Sequence, residues 1–211
     1  MGKLLPMGRP RTNDAAVRER LVACATEMFA THPQESVTVR ALATAAGTST
    51  AAVYTLFQGK DGLIREVRNQ AVAGLFQDLT AVPGSEAALE DLYALAVAYR
   101  HWGREHRHLY AVLFGGVQSF VPSTWVGDRD PVRPLVTAID RAVADRILAG
   151  DTTLIAVSLW VALHGLVTLE LAGGLDGTAA ETAFWSTIDA VLRGWATPAA
   201  SPGLRRPDPA P

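Results

Sequence analysis

The stretch from Val37 to Lys60 leaves this 211-residue chain the fewest ways to fold. Thr38 stands where an N-cap belongs, and Leu42, Ala45 and Ala46 recur at helical spacing, which predicts a short helix over Val39–Ala46. Gly47 ends it, because glycine enters the left-handed conformation that closes a helix without a Cβ penalty. Ser49 is then placed to cap a second helix, Thr50 to Phe57. Its Val53 and Phe57 face inward at i, i+4, and Thr50, Ala51, Tyr54 and Thr55 face outward. That outer face is small at its N-terminal end.

Two short helices joined at a glycine turn form a helix-turn-helix, whose second helix fits the major groove of DNA with its N-terminal residues nearest the bases. Spacing alone does not separate this from the helix pairs of any compact helical protein. The residues themselves go further. T-V-R-x-L-A-x-x-A-G followed by S-x-x-x-x-Y-x-x-F-x-x-K, from Thr38 to Lys60 and on to Leu63, resembles the DNA-binding signature of the TetR family of bacterial transcriptional regulators. The resemblance implies DNA contacts, mostly to phosphates, from Thr38, Arg40, Thr50, Ala51, Tyr54 and Lys60. Ser49 as cap and Thr55 behind Thr50 complete the expected DNA-facing set. Thr38 and Lys60 sit at helix starts, where backbone amides also favour anions. Neither Thr50 nor Thr55 is a bidentate reader, so DNA shape or Arg40 is expected to carry more of the specificity. Leu56 departs from the family, which often has histidine or an aromatic there.

The net charge of −2 by itself gives no sign of nucleic acid, but its distribution does. Residues 1–60 hold seven Lys/Arg against four Asp/Glu, and the remainder holds twelve against seventeen. A basic head on an acidic body fits phosphate contacts at one end. The single cysteine, Cys24, allows no internal disulfide and suits a reducing cytosol. The start of the chain has no apolar run of signal-peptide length, and a cytoplasmic location is expected.

The periodicity predicts an all-α chain: a three-helix head over residues 1–60, a larger helical body over 61–197 and a disordered Pro-rich tail over 198–211. Residues 1–12 read as a flexible basic arm, and Asp14 as the cap of a first helix that ends near Thr31. The body is expected to hold a helix from Lys60 to Pro83, another from Ser85 that breaks near Gly103, and a third from Asp130-Pro131 to Gly150. Thr152 to Leu169 carries no formal charge over eighteen residues. Asp151, Glu170, and the polar Ser158, His164 and Thr168 within it favour a buried helix over a membrane span. Thr178 and Glu181 form the pattern of a capping box for the last helix. Trp160, His164 and Gly165 resemble the Trp-His-Gly signature of one group of TetR regulatory domains.

Two adjacent apolar helices exceed what one small body needs to hide, which predicts a homodimeric four-helix bundle. The candidate interface comprises Leu159, Leu163, Leu166, Phe184, Trp185, Ile188, Val191, Leu192 and Trp195. Apolar pockets lined by aromatics take small molecules, and Tyr99, Trp102, Tyr110, Phe114, Phe120, Trp125, Trp160 and His164 are the candidates here. Family members commonly release DNA when such an effector binds. No metal is expected: His106 and His108 point to different sides of a helix, and no zinc-like spacing occurs. Nor is a cofactor or catalysis, for want of a phosphate loop, nucleophile elbow or recognisable carboxylate pair. The expectation is a ligand-responsive repressor that grips double-stranded DNA as a homodimer and does not enter membranes. The alternative is a helical ligand carrier with no DNA role.

Overall fold

The computed structural model describes residues 11–114 and 130–201. Among them lie nine helices and no strand. They are α1 (Arg11–Thr31), α2 (Val39–Ala45), α3 (Thr50–Phe57), α4 (Lys60–Ala81), α5 (Ala88–Glu105), α6 (Arg107–Phe114), α7 (Arg133–Ala144), α8 (Thr152–Leu171) and α9 (Gly177–Trp195). Residues 11 and 12, expected in the arm, are already helical, and Gly103 lies inside α5 without breaking it. Phe120 and Trp125 lie outside the described residues.

The chain forms two compact units that part within α4, between Ala71 and Val72, and the first unit regains the chain from His108 through α6. The boundary expected at 60/61 coincides with the start of α4, ahead of that division. In the first unit Leu21, Ala25, Leu42, Val53, Leu63 and Val67 are buried almost completely, with Phe29, Phe57 and Val112 around them. Two arginines of α1 close the ends of the short helices. The Arg18 guanidinium donates to the Leu56 carbonyl at 3.2 Å and to Glu66 at 2.8 Å, and lies 4.6 Å from the Phe57 ring centroid. Arg20 Nε donates to the Ala46 carbonyl at 3.2 Å. Cations on orphan carbonyls at helix C-termini satisfy both a hydrogen bond and the dipole. Both arginines belong to the basic excess of residues 1–60, and here their guanidinium groups are tied to the fold.

In the second unit α8 packs on α9, α7 and α5, and α5 packs on α7. Helix α8 is long and apolar enough to cross a membrane by length and composition. Here Ile155, Ala156, Leu159, Leu163, Leu166 and Val167 form its buried side. Asp151 caps it, accepting from Leu154 N at 3.1 Å. Helix α7 ends at Ala144, short of the expected Gly150. Beyond it Arg146 takes a left-handed conformation, Thr197 N donates to Ile147 O at 3.0 Å, and Leu148 bridges Ala196. Gly150 has φ 145°, and a Cβ there would stand 2.7 Å from the Trp195 ring, so only glycine lets the chain turn into α8 at this point. Thr197, Ala200 and Ser201 form a closing turn, which extends the described chain past the point where the tail was expected to begin.

Polar groups of the second unit are tied across long loops. Arg100, nearly buried, donates from Nε to both Glu170 oxygens at 2.9 and 3.1 Å and from Nη1 to Glu181 at 2.7 Å. Glu181 also accepts from Trp185 Nε1 at 2.5 Å. The capping box therefore does not form: Asp176 holds the N-cap position of α9 without a side-chain bond, and Glu181 turns to Arg100 instead. A charged hydrogen bond to a buried guanidinium outweighs one neutral cap. Tyr93 Oη donates to Asp189 at 2.5 Å, and burial together with that carboxylate raises the phenol's pKa.

Candidate nucleic-acid interface

The two caps read from the sequence hold α2 and α3 at their starts. Thr38 Oγ1 accepts from Ala41 N at 3.1 Å, and Ser49 Oγ from Ala52 N at 3.3 Å. Gly47 between the helices has φ 61°. Val53 and Phe57 are buried, which fixes the rotation of α3 and turns Thr50, Ala51, Tyr54 and Thr55 to solvent. Thr38, Arg40 and Ser49 are also exposed. The Tyr54 side chain, at 59% exposure, is the most open large apolar residue described.

Two neighbours of this face, Gln58 and Gly59, carry no role in the sequence reading. Helix α3 ends with Gln58 left-handed at φ 63°, and its N–H returns to Tyr54 O at 2.9 Å. Gly59 follows at φ 110°, and the Tyr54 ring lies 3.4 Å from where a Cβ would stand. The positive φ calls for glycine at 59, and the Tyr54 ring rests against it at ordinary van der Waals distance. The Gln-Gly pair after Phe57 was the legible signal. Lys60 then differs from a free basic tip: half-buried, it donates from Nζ to Gln34 O at 2.9 Å and ties the start of α4 to the α1–α2 connection.

A profile described as bacterial regulatory proteins of the tetR family matches residues 21–67, which contain both short helices and the turn between them. A second, described as the C-terminal domain of tetracyclin repressor-like proteins, matches residues 92–192. The chain belongs to the TetR family. It is a transcriptional regulator with a DNA-binding domain. An uncharacterised HTH-type regulator of Mycobacterium tuberculosis, Rv0681, is 27% identical over 199 residues, 88% of this chain and 87% of the relative. A protein of unknown function from Rhodococcus sp. RHA1 superposes with TM-score 0.70 at 24% identity, over 92% of this chain and all of that one. The TetR-family regulator PfmR from Thermus thermophilus does so with TM-score 0.67 at 22% identity, over 82% of this chain and 97% of that one. At these identities the two structures speak for the fold alone.

The regulatory body of this TetR protein sorts the remaining candidates. Tyr99 and Trp160 line one internal chamber. The His164 ring stacks on Trp160 at 5.1 Å with Nδ1 3.4 Å from the Tyr99 hydroxyl, and burial lowers its pKa. Trp102 is fully buried and lines neither that chamber nor the larger one beside it. Tyr110 and Phe114 are corrected: they belong to the first unit, where their rings lie 4.7 Å apart. The interface set needs a larger correction. Leu159, Leu163, Leu166, Phe184, Ile188 and Leu192 are buried within the subunit's own core, while Trp185, Val191 and Trp195 are half-buried. On a helix apolar all round, sequence does not say which side faces home. The open side of α8 carries Leu154, Val157, Val161 and Leu169 instead. Among the described residues no group of three or more His, Cys, Asp or Glu is placed to hold a metal ion.

Proposed function

We propose that this TetR-family regulator is a cytoplasmic homodimeric repressor that binds a palindromic operator and leaves it when a small effector enters the body. The exposed outer face of α3, capped at Ser49, small at its N-terminal end and closed by an exposed Tyr54, carries the DNA part of this reading. Thr50, Ala51 and Thr55 approach base edges. Thr38, Arg40, Tyr54 and Lys60 approach phosphates, with Lys60 giving up or sharing its bond to Gln34. Two heads about 34–36 Å apart would meet successive major grooves.

The dimer is supported by the open side of α8, where Leu154, Val157, Val161 and Leu169 are 57, 44, 55 and 51% exposed. On its neighbour α9, Ser186, Ala190 and Gly194 are small and exposed at four-residue spacing. Small residues let a second copy come close, and exposed apolar rows call for a cover. The corrected face predicts that Val161→Glu gives a folded monomer by sedimentation, and that Leu163→Glu, buried at 6%, fails to fold. A Val161→Glu protein that stays dimeric refutes this face.

DNA binding is tested by fluorescence anisotropy with duplex fragments from upstream of the protein's own gene. Arg40 makes no ion pair among the described residues. Arg40→Ala should weaken binding to all sequences and reduce the slope of log K against log salt by about one. If no fragment binds even at low salt, the carrier alternative replaces the regulator.

A further inference from the structure

We infer that the body takes an amphipathic anion, with its apolar chain inside and its charged end at Arg133. This rests on the reading above that the body is an effector site, and names the chemistry of the effector. Two of the chambers in the second unit adjoin each other. The outer one, of about 300 Å³, is lined by Phe76, Leu79, Val82, Leu95, Arg133 and Arg141 among others. The inner one, of about 40 Å³, is lined by Tyr99, Val132, Leu135, Trp160 and Leu163, and by no charged side chain among the described residues.

Leu79 and Leu95 line both chambers and are 7 and 6% exposed, so they are the partition between them. Leucine side chains change rotamer readily, and a small void with apolar walls stays dry. An apolar chain that enters the outer chamber can therefore send its end past these two leucines without displacing bound water. The inner space is too small for a whole ligand and suits a chain end.

The polar end is decided by charge at the outer chamber. Asp91 is nearly buried; its Oδ1 accepts from Ser85 N at 2.7 Å and its Oδ2 from Arg141 Nη1. Arg141 Nη2 donates to the Ser85 and Glu86 carbonyls at 2.6 and 3.2 Å. Asp91 and Arg141 thus cancel and hold each other. Arg133 is exposed and makes no ion pair among the described residues. The nearby Asp130 accepts from Val132 N at 2.9 Å and does not line the chamber. Among the described residues of the lining the uncompensated charge is positive, on Arg133, and a guanidinium binds a carboxylate or phosphate through paired hydrogen bonds.

The full chain is titrated with sodium decanoate, decyl phosphate and decan-1-ol, by calorimetry and by tryptophan fluorescence. The two anions are expected to bind at least tenfold tighter than the alcohol, and the tighter anion names the head group. Arg133→Gln should bring the anions to the level of the alcohol, leave alcohol binding and the unfolding temperature unchanged, and so separate charge from fold. Leu95→Phe, which thickens the partition, should weaken all three alike. Equal binding of decanoate and decanol by the natural chain overturns the proposal, as does an Arg133→Gln protein with undiminished anion binding, or no binding of any probe at millimolar concentration. Binding that depends on Arg133 but leaves DNA affinity unchanged upholds the site and overturns the effector reading.

Discussion

The two compact units deal with the ends of helices and with buried charge in different ways. In the first, the caps of α2 and α3 come from Thr38 and Ser49, each bonded three residues along the chain. Its arginines Arg18 and Arg20 are partly exposed and close helix ends by reaching carbonyls. In the second, α5 and α9 start without a side-chain cap. Their polar groups are tied instead to partners 50 to 96 residues away: Asp91 with Arg141, Arg100 with Glu170 and Glu181, Tyr93 with Asp189. A DNA-reading head needs one fixed helix pair. The proposed effector site needs helices held by a few specific ties around space that can open.

The largest expected effect lies on the body side. Arg100→Ala leaves Glu170, whose side chain is 6% exposed, as an uncompensated buried charge. Losing one member of such a pair costs about 3–5 kcal/mol. Denaturant unfolding should show that loss, and replacing Arg100 and Glu170 together by Met and Leu should recover much of it. A single mutant as stable as the natural chain would show that the long-range tie is ornamental and that the two units are built alike.

This contrast also explains what the sequence made legible. The cap at Ser49, the stop at Gly47 and the inward Val53 and Phe57 are neighbours in sequence, and local rules suffice to read them. The tie from Lys60 to Gln34 was missed because it joins two connections, and a lysine after a helix stop looks like any exposed cation. In the body the helices were legible from their period, but not which side of α8 faces the core, since Leu154 and Leu159 are equally apolar. Glu181 shows the same failure at a single residue: its spacing from Thr178 fits a local cap, and Arg100, 81 residues away, takes it.

A smaller effect tests the head side. Ser49→Ala removes the bond to Ala52 N and should cost about 1 kcal/mol. Because the loss falls on the start of α3, DNA affinity should fall while effector binding stays as it was. Equal losses in both would mean that the cap supports the whole chain rather than the recognition helix.

The smallest effect is a pH dependence confined to the body. His164 is half-buried between Trp160 and Tyr99, and burial holds its pKa below the ordinary value of 6.5. The unfolded chain then binds the proton more readily than the folded one, so stability rises with pH between the folded value and 6.5 and is level above it. Lowering the pH below 6.5 should therefore destabilise the natural chain. His164→Gln, which keeps a polar group near the Tyr99 hydroxyl, should flatten that part of the profile. The half-exposed setting keeps the size small. Urea unfolding at several values from pH 5 to 7.5 reads it, and an unchanged slope in the variant would mean that the ring is as well hydrated folded as unfolded. The stack on Trp160 would then be a surface contact, and the inner chamber beside it would be open to water.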